Sequence, residues 1–120
     1  MEKITTFKDL LVWQKSHQLT LEIYKIVAAF PRYEEFGLSS QLRRCSSSAP
    51  SNIAEGFKKQ SAKESLHFYN IAECTIEELK YQIILAKDLG YISENKYNEL
   101  NNLAEEVSKL LYGWIKCHKK

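Results

Sequence analysis

The 120-residue chain reads as all-α: an antiparallel up-down four-helix bundle formed by residues 1–120 as a single domain. Three observations predict this. The length suits one hydrophobic core but not two. Only two prolines and four glycines interrupt the chain, and the stop signals divide it into four long segments. Within those segments apolar residues recur three and four positions apart, and no strand-like alternation of useful length competes.

The expected helices cover about 9–30, 39–59, 61–89 and 93–117. Thr6-x-x-Asp9 resembles an N-cap with an acidic third position, and Pro31 forces the first helix to end by Phe30. Its polar residues, Gln14, Lys15, Gln18, Glu22 and Lys25, fill only about a 100° arc. Apolar residues cover most of the rest, with Trp13 and Tyr24 between two aliphatic flanks. Tyr33 to Leu38 forms the first loop, and Ser39 is the expected cap of the second helix. Ser61-x-x-Glu64 is a capping box opening the third, which stops at Gly90. That helix is also broadly apolar, from Phe68 to Leu89. Ser93 caps the fourth, whose seam of Tyr97, Leu100, Ala104, Val107, Leu111 and Trp114 is narrow. Short connections make consecutive helices antiparallel. A bundle helix needs an apolar stripe only somewhat over 100° wide. The wide arcs on helices one and three therefore predict self-association.

The second helix is unusual. Cys45 to Ser51 are seven small residues in a row with Pro50 among them. Pro50 removes a donor and crowds the Ser46 carbonyl, so a kink is expected there, with Ser46, Ser47, Ser48 or the Asn52 amide satisfying the freed group. Leu42, Cys45, Ala49, Ile53 and Gly56 share the inward face. Arg43, Arg44, Ser47, Ser51, Glu55 and Lys58 share the outward one, and Glu55 is placed to pair with Lys59.

Phe7-x-Asp9-Leu10-x-Val12-Trp13-Gln14-Lys15, Phe30-Pro31, Gln41-Leu42-Arg43-Arg44 and above all Ser48-x-Pro50-x-Asn52-Ile53-Ala54-Glu55-Gly56 resemble the bacterial four-helix-bundle family of 23S rRNA intervening-sequence proteins. The likeness covers nearly the whole chain. It implies an up-down bundle assembled as a homo-oligomer, commonly a pentameric ring. In that frame Ser48, Pro50, Asn52, Glu55 and Gly56 are structural. Accessory proteins of diversity-generating retroelements are similar; they partner a reverse transcriptase and offer basic surface to nucleic acid.

Composition bounds the chemistry. At 44% hydrophobic and 27% charged residues the chain is globular in type. No apolar run reaches the roughly 18 residues a membrane span needs. The N-terminus lacks the basic-then-apolar pattern of a secretion signal. Cys45, Cys74 and Cys117 read as buried small hydrophobes, and a cytoplasmic location follows. Residues 38–63 carry five cations against one carboxylate, whereas 64–92 carry two against five. Lys116, His118, Lys119 and Lys120 add a basic tail.

Glu64-x-x-His67 has the spacing of half a di-iron site, but no second such pair exists. The serine run has no nucleophile elbow, and no phosphate-cradling glycine loop occurs. Gln82, Thr75, His17 and Asn52 read as core-edge polar groups. No enzyme activity, cofactor or metal is expected. Two functions remain. One is a nucleic-acid or nucleoprotein adaptor using Arg43, Arg44, Lys58 and Lys59 on RNA or DNA phosphate. The other is a protein-interaction scaffold that binds no nucleic acid.

Overall fold

The computed structural model describes residues 3–118. It contains four helices: α1 Leu11–Val27, α2 Leu38–Lys58, α3 Ala62–Asp88 and α4 Glu94–His118. Short 3-10 turns at Phe7–Asp9 and Arg32–Glu34 precede α1 and α2. Each helix packs on its chain neighbours, α1 also packs on α4, and the diagonal pairs do not touch through their backbones. The result is a four-helix bundle.

Its core has two parts that reveal the up-down order. Leu10 and Val12 at the start of α1 meet Ile53 near the end of α2, Tyr69 and Ala72 early in α3, and Leu111 and Ile115 late in α4. Leu19, Ile23, Leu42, Ile76, Leu79, Ile83, Leu100 and Val107 fill the longer remainder. Fully burying such a side chain contributes about 1.5–3 kcal/mol, so this interior supplies most of the fold's stability.

The helix ends follow local chemistry. Asp9 Oδ2 accepts from the backbone N–H groups of Thr5 and Thr6 at 2.8 and 3.0 Å. The capping box at Thr6 therefore exists, but it closes a 3-10 turn and α1 begins two residues later. Ser39 does not cap α2: it is buried inside the first turn. Glu34 takes that role from the preceding loop, its Oε1 accepting the Leu38 N–H at 3.0 Å. Ser61 Oγ accepts the Glu64 N–H at 3.1 Å. The Glu64 carboxylate meets the Ser61 hydroxyl instead of the backbone, so only half the expected box forms. At the end of α3, Gly90 adopts φ +81°. The Gly90 and Tyr91 N–H groups then donate to Lys87 O and Ala86 O, both at 2.9 Å, which satisfies carbonyls the helix leaves open. Ser93 Oγ accepts the Lys96 N–H at 3.1 Å and opens α4 as expected.

Only Cys45 is buried; Cys74 and Cys117 are exposed. The expectation that all three are buried fails because Cys74 lies on the outer side of α3 and Cys117 on the outer side of α4. His17 is also corrected. It is exposed and stacks on Trp13 with ring centroids 5.0 Å apart.

Candidate nucleic-acid interface

The run of small residues in α2 is explained by what presses against it. Leu42, Ala49, Ile53 and Gly56 face inward and are buried. A Cβ on Gly56 would lie 2.5 Å from the Tyr69 ring, and Tyr69 is 1% exposed, so the ring has no room to withdraw. Gly56 O also accepts the buried Ser65 hydroxyl at 2.8 Å, tying the end of α2 to the start of α3.

Pro50 lies within α2, buried, and cannot donate to the Ser46 carbonyl four residues back. The partner of that carbonyl comes from another helix: Thr20 Oγ1 on α1 donates to it at 2.7 Å. The serine hydroxyls are occupied elsewhere, Ser46 Oγ on Arg43 O and Ser47 Oγ on Arg44 O. Asn52 Nδ2 donates to Ser48 O at 2.8 Å and to Ser48 Oγ at 3.1 Å. Neither the neighbouring hydroxyls nor Asn52 supplies the Pro50 compensation, because each finds its acceptor within its own turns. Ser48, Pro50, Asn52 and Gly56 thus act in packing and hydrogen bonding. Glu55 points outward and is exposed.

The four candidate cations separate into two kinds. Arg43 is half-buried: its guanidinium donates to Glu35 O at 3.4 Å and lies 3.6 Å from the Glu35 carboxylate. Lys59 follows the last residue of α2 and lies over the Phe68 ring, 5.1 Å from its centroid, and does not pair with Glu55. Arg44 and Lys58 are exposed and, among the described residues, form no ion pair. They are fourteen residues apart, about 21 Å along the helix axis, and share its outer side. Between them lie Ser47, Ser51 and Glu55, so the free cations bracket a low, polar surface. Lys119 and Lys120 of the basic tail lie outside the described residues.

Beside Arg44, a notch of about 190 Å³ between α2 and α3 is lined by Gln41, Cys45, Ser48, Thr75 and Glu78. Cys45 Sγ donates to Thr75 O at 3.3 Å. Burial, reinforced by the nearby Glu78 charge, pushes the Cys45 thiol up to about 12. It therefore stays protonated at neutral pH and is a poor nucleophile. Gln82 is buried and donates from Nε2 to Glu78 at 3.3 Å, while its Oε1 lacks a partner. Thr75 Oγ1 returns to Ile71 O at 2.8 Å. Glu64 and His67 are both exposed, and no group of three or more metal-ligating side chains forms among the described residues.

Sequence reasoning missed the hydrogen bond between Thr20 and Ser46 and the aromatic loop before α2. Phe36 is 96% exposed and Tyr33 79%. The Tyr33 hydroxyl and Glu34 Oε2 both meet the Tyr91 hydroxyl, at 3.2 and 2.8 Å. The aromatic pair in RYEEFG was the available signal.

The sequence profile described as 23S rRNA-intervening sequence protein matches residues 8–113. The chain is also similar to a crystal structure, at 1.70 Å resolution, of a protein of unknown function from the S23 ribosomal protein family of Bacteroides thetaiotaomicron VPI-5482. Identity is 31%, the TM-score is 0.79, and the match covers 88% of this chain and 99% of that one. No curated protein matches.

Proposed function

As the chain belongs to the 23S rRNA-intervening sequence protein family, we propose that it is a non-enzymatic, ring-forming adaptor that holds RNA or DNA by the phosphate backbone. The observation that carries this reading is the pair Arg44 and Lys58, exposed on one side of α2 and unpaired among the described residues. A cation already held by a carboxylate gains little from phosphate; one held only by water releases counterions when it binds. Small neighbours, Ser47 and Ser51, leave room for a sugar-phosphate chain to approach. Two separated cations flanked by small polar residues suit phosphate contact, so the proposed recognition is of backbone and shape.

Of the four cations expected from sequence, Arg44 and Lys58 carry direct contact in this proposal. Arg43 holds the loop at Glu35, and Lys59 lends positive potential from its place over Phe68. Assembly multiplies two free cations per chain into a band.

The test is a polarisation titration of wild type and an Arg44→Glu/Lys58→Glu variant against structured RNA at low salt. Wild type should bind, and the variant should lose at least tenfold in affinity with an unchanged circular dichroism spectrum. Equal binding by both would refute the assignment. The exposed Phe36 and Tyr33 favour a second reading, a scaffold that grips a protein partner through an aromatic loop. Retained partner binding in the charge-reversed variant, together with its loss in Phe36→Ala, would select that reading.

A further inference from the structure

Where α1 begins and α4 ends, the bundle surface opens into a groove of about 500 Å³. Leu11 and Val12 line it from α1, Leu110 and Trp114 from α4, and Ile4 adds an apolar side chain from the segment before α1. Leu11 and Ile4 are 52% and 51% exposed, so the core does not use them. Gly113 keeps the groove open on the α4 side, because a Cβ built there would meet nothing within 4 Å. A glycine inside a helix costs stability relative to alanine. Neither a positive φ nor a close neighbour requires one at this position.

The groove has cations beside it. Lys8 precedes Asp9 on one side, and Lys109 and Lys116 fall within about 60° of Gly113 around α4 on the other. All three are exposed, and Lys116 rests over the Tyr112 ring. Among the described residues none of the three forms an ion pair. The carboxylates nearby are already engaged. Asp9, the one acid in the lining, accepts from the backbone of Thr5 and Thr6. Glu105 holds Lys80 at 2.8 Å, and Glu106 lies 3.7 Å from Lys15.

We propose that this groove binds a single-chain amphipathic anion, a fatty-acid carboxylate, with its chain along Leu11, Leu110 and Trp114 and its head among the lysines. Volume, lining and charge together select this occupant. The volume falls within the range of small-molecule sites, about 300–1,000 Å³. The lining is apolar on both walls, so each methylene withdrawn from water favours binding. A neutral apolar ligand would leave the lysines unused, and a cationic one would be repelled by them. An anionic head on an apolar chain satisfies both features at once. The site goes beyond the adaptor reading and does not depend on it. It lies between α1 and α4, and α4 makes no backbone contact with α2, which carries Arg44 and Lys58.

Isothermal titration calorimetry with dodecanoate, kept below its micelle threshold, tests this. Dodecyltrimethylammonium is the control with the same chain and the opposite charge. Wild type should bind dodecanoate at one site per chain and the ammonium compound at least about tenfold more weakly. Gly113→Leu fills the open space with a residue that favours helix. It should lose at least about tenfold in dodecanoate affinity with an unchanged circular dichroism spectrum. Leu11→Asp, at a half-exposed position on the opposite wall, should give the same loss and serves if Gly113→Leu fails to fold. Lys8→Glu/Lys109→Glu should narrow or reverse the preference between the two head groups. No binding by wild type, or undiminished binding by Gly113→Leu and Leu11→Asp, overturns the site. Equal affinity for both head groups overturns its preference for an anion. Association with phosphatidylglycerol vesicles but not with dodecanoate would make the occupant a membrane surface, and overturns the single-ligand site. A Gly113→Leu protein whose assembly mass changes by light scattering would place a neighbouring copy in the groove, with the same consequence.

Discussion

At the residue scale the decisive positions are Thr20 and Gly56, and both answer demands made by α2. Pro50 leaves the Ser46 carbonyl without its helical donor, and Thr20 supplies one at 2.7 Å in a site where both residues are buried. Thr20→Val keeps the shape and removes the donor, so it should cost about 1–3 kcal/mol, the penalty of an unsatisfied buried acceptor. In a Pro50→Ala background the backbone N–H returns, and the same substitution should cost less. A double-mutant cycle by urea denaturation reads this coupling; equal costs in both backgrounds would show that Thr20 does not compensate for Pro50. Gly56→Ala pushes a methyl group into the Tyr69 ring. Overpacking of this kind should destabilise by about 1–3 kcal/mol, visible as a lower denaturation midpoint. Relief of that loss by Tyr69→Leu would tie it to the ring.

At the scale of elements, the helices were legible in the sequence and several of their ends were not. The inward face of α2 and the seam of α4 follow from spacing alone, because a helical period leaves few ways to bury Leu42, Ile53, Leu100 and Val107. Gly90 and Ser93 acted as expected, since their effect needs only neighbouring backbone. Ser39 misled, because the N–H it was expected to cap near is reached first by Glu34 from a preceding loop. The start of α1 shifted inward by two residues where a 3-10 turn replaced α-helix, and its end by three, where residues 28–30 form a turn. Thr20 was invisible for another reason: a contact between residues twenty-six positions apart has no local signature. Of the candidate site, the cations were legible but their availability was not. Arg43 and Arg44 are adjacent in sequence, and only the fold shows that Glu35 engages one of them.

Glu34 joins these elements and makes them sensitive to acid. The Leu38 N–H, then the Tyr91 hydroxyl, hold its carboxyl below the usual 4.5. A depressed folded-state value means that the stabilisation is complete above about 4.5 and is lost as pH falls through the folded-state value. Glu34→Gln should therefore lower the thermal midpoint at pH 7, with a difference from wild type that shrinks toward zero as pH drops below 4.5. A difference that does not vary with pH would mean that the charge on Glu34 contributes nothing to its grip.

At the scale of the whole molecule, the bundle is conventional inside and asymmetric outside. α3 is acidic and partly apolar on its outer side, while α2 is basic and lined with small residues. In the proposed ring the basic side of α2 leaves Arg44 and Lys58 for phosphate. Backbone-directed binding has a signature that few other modes share, namely release of condensed counterions. The most direct test of the adaptor reading is the affinity of the wild-type assembly for structured RNA across a range of salt concentrations. Log affinity should fall linearly with log salt, with a slope of roughly −0.7 to −0.9 for each phosphate neutralised and a total steeper than about −2 in a multi-copy ring. A flat dependence, or no binding at the lowest salt, would contradict it.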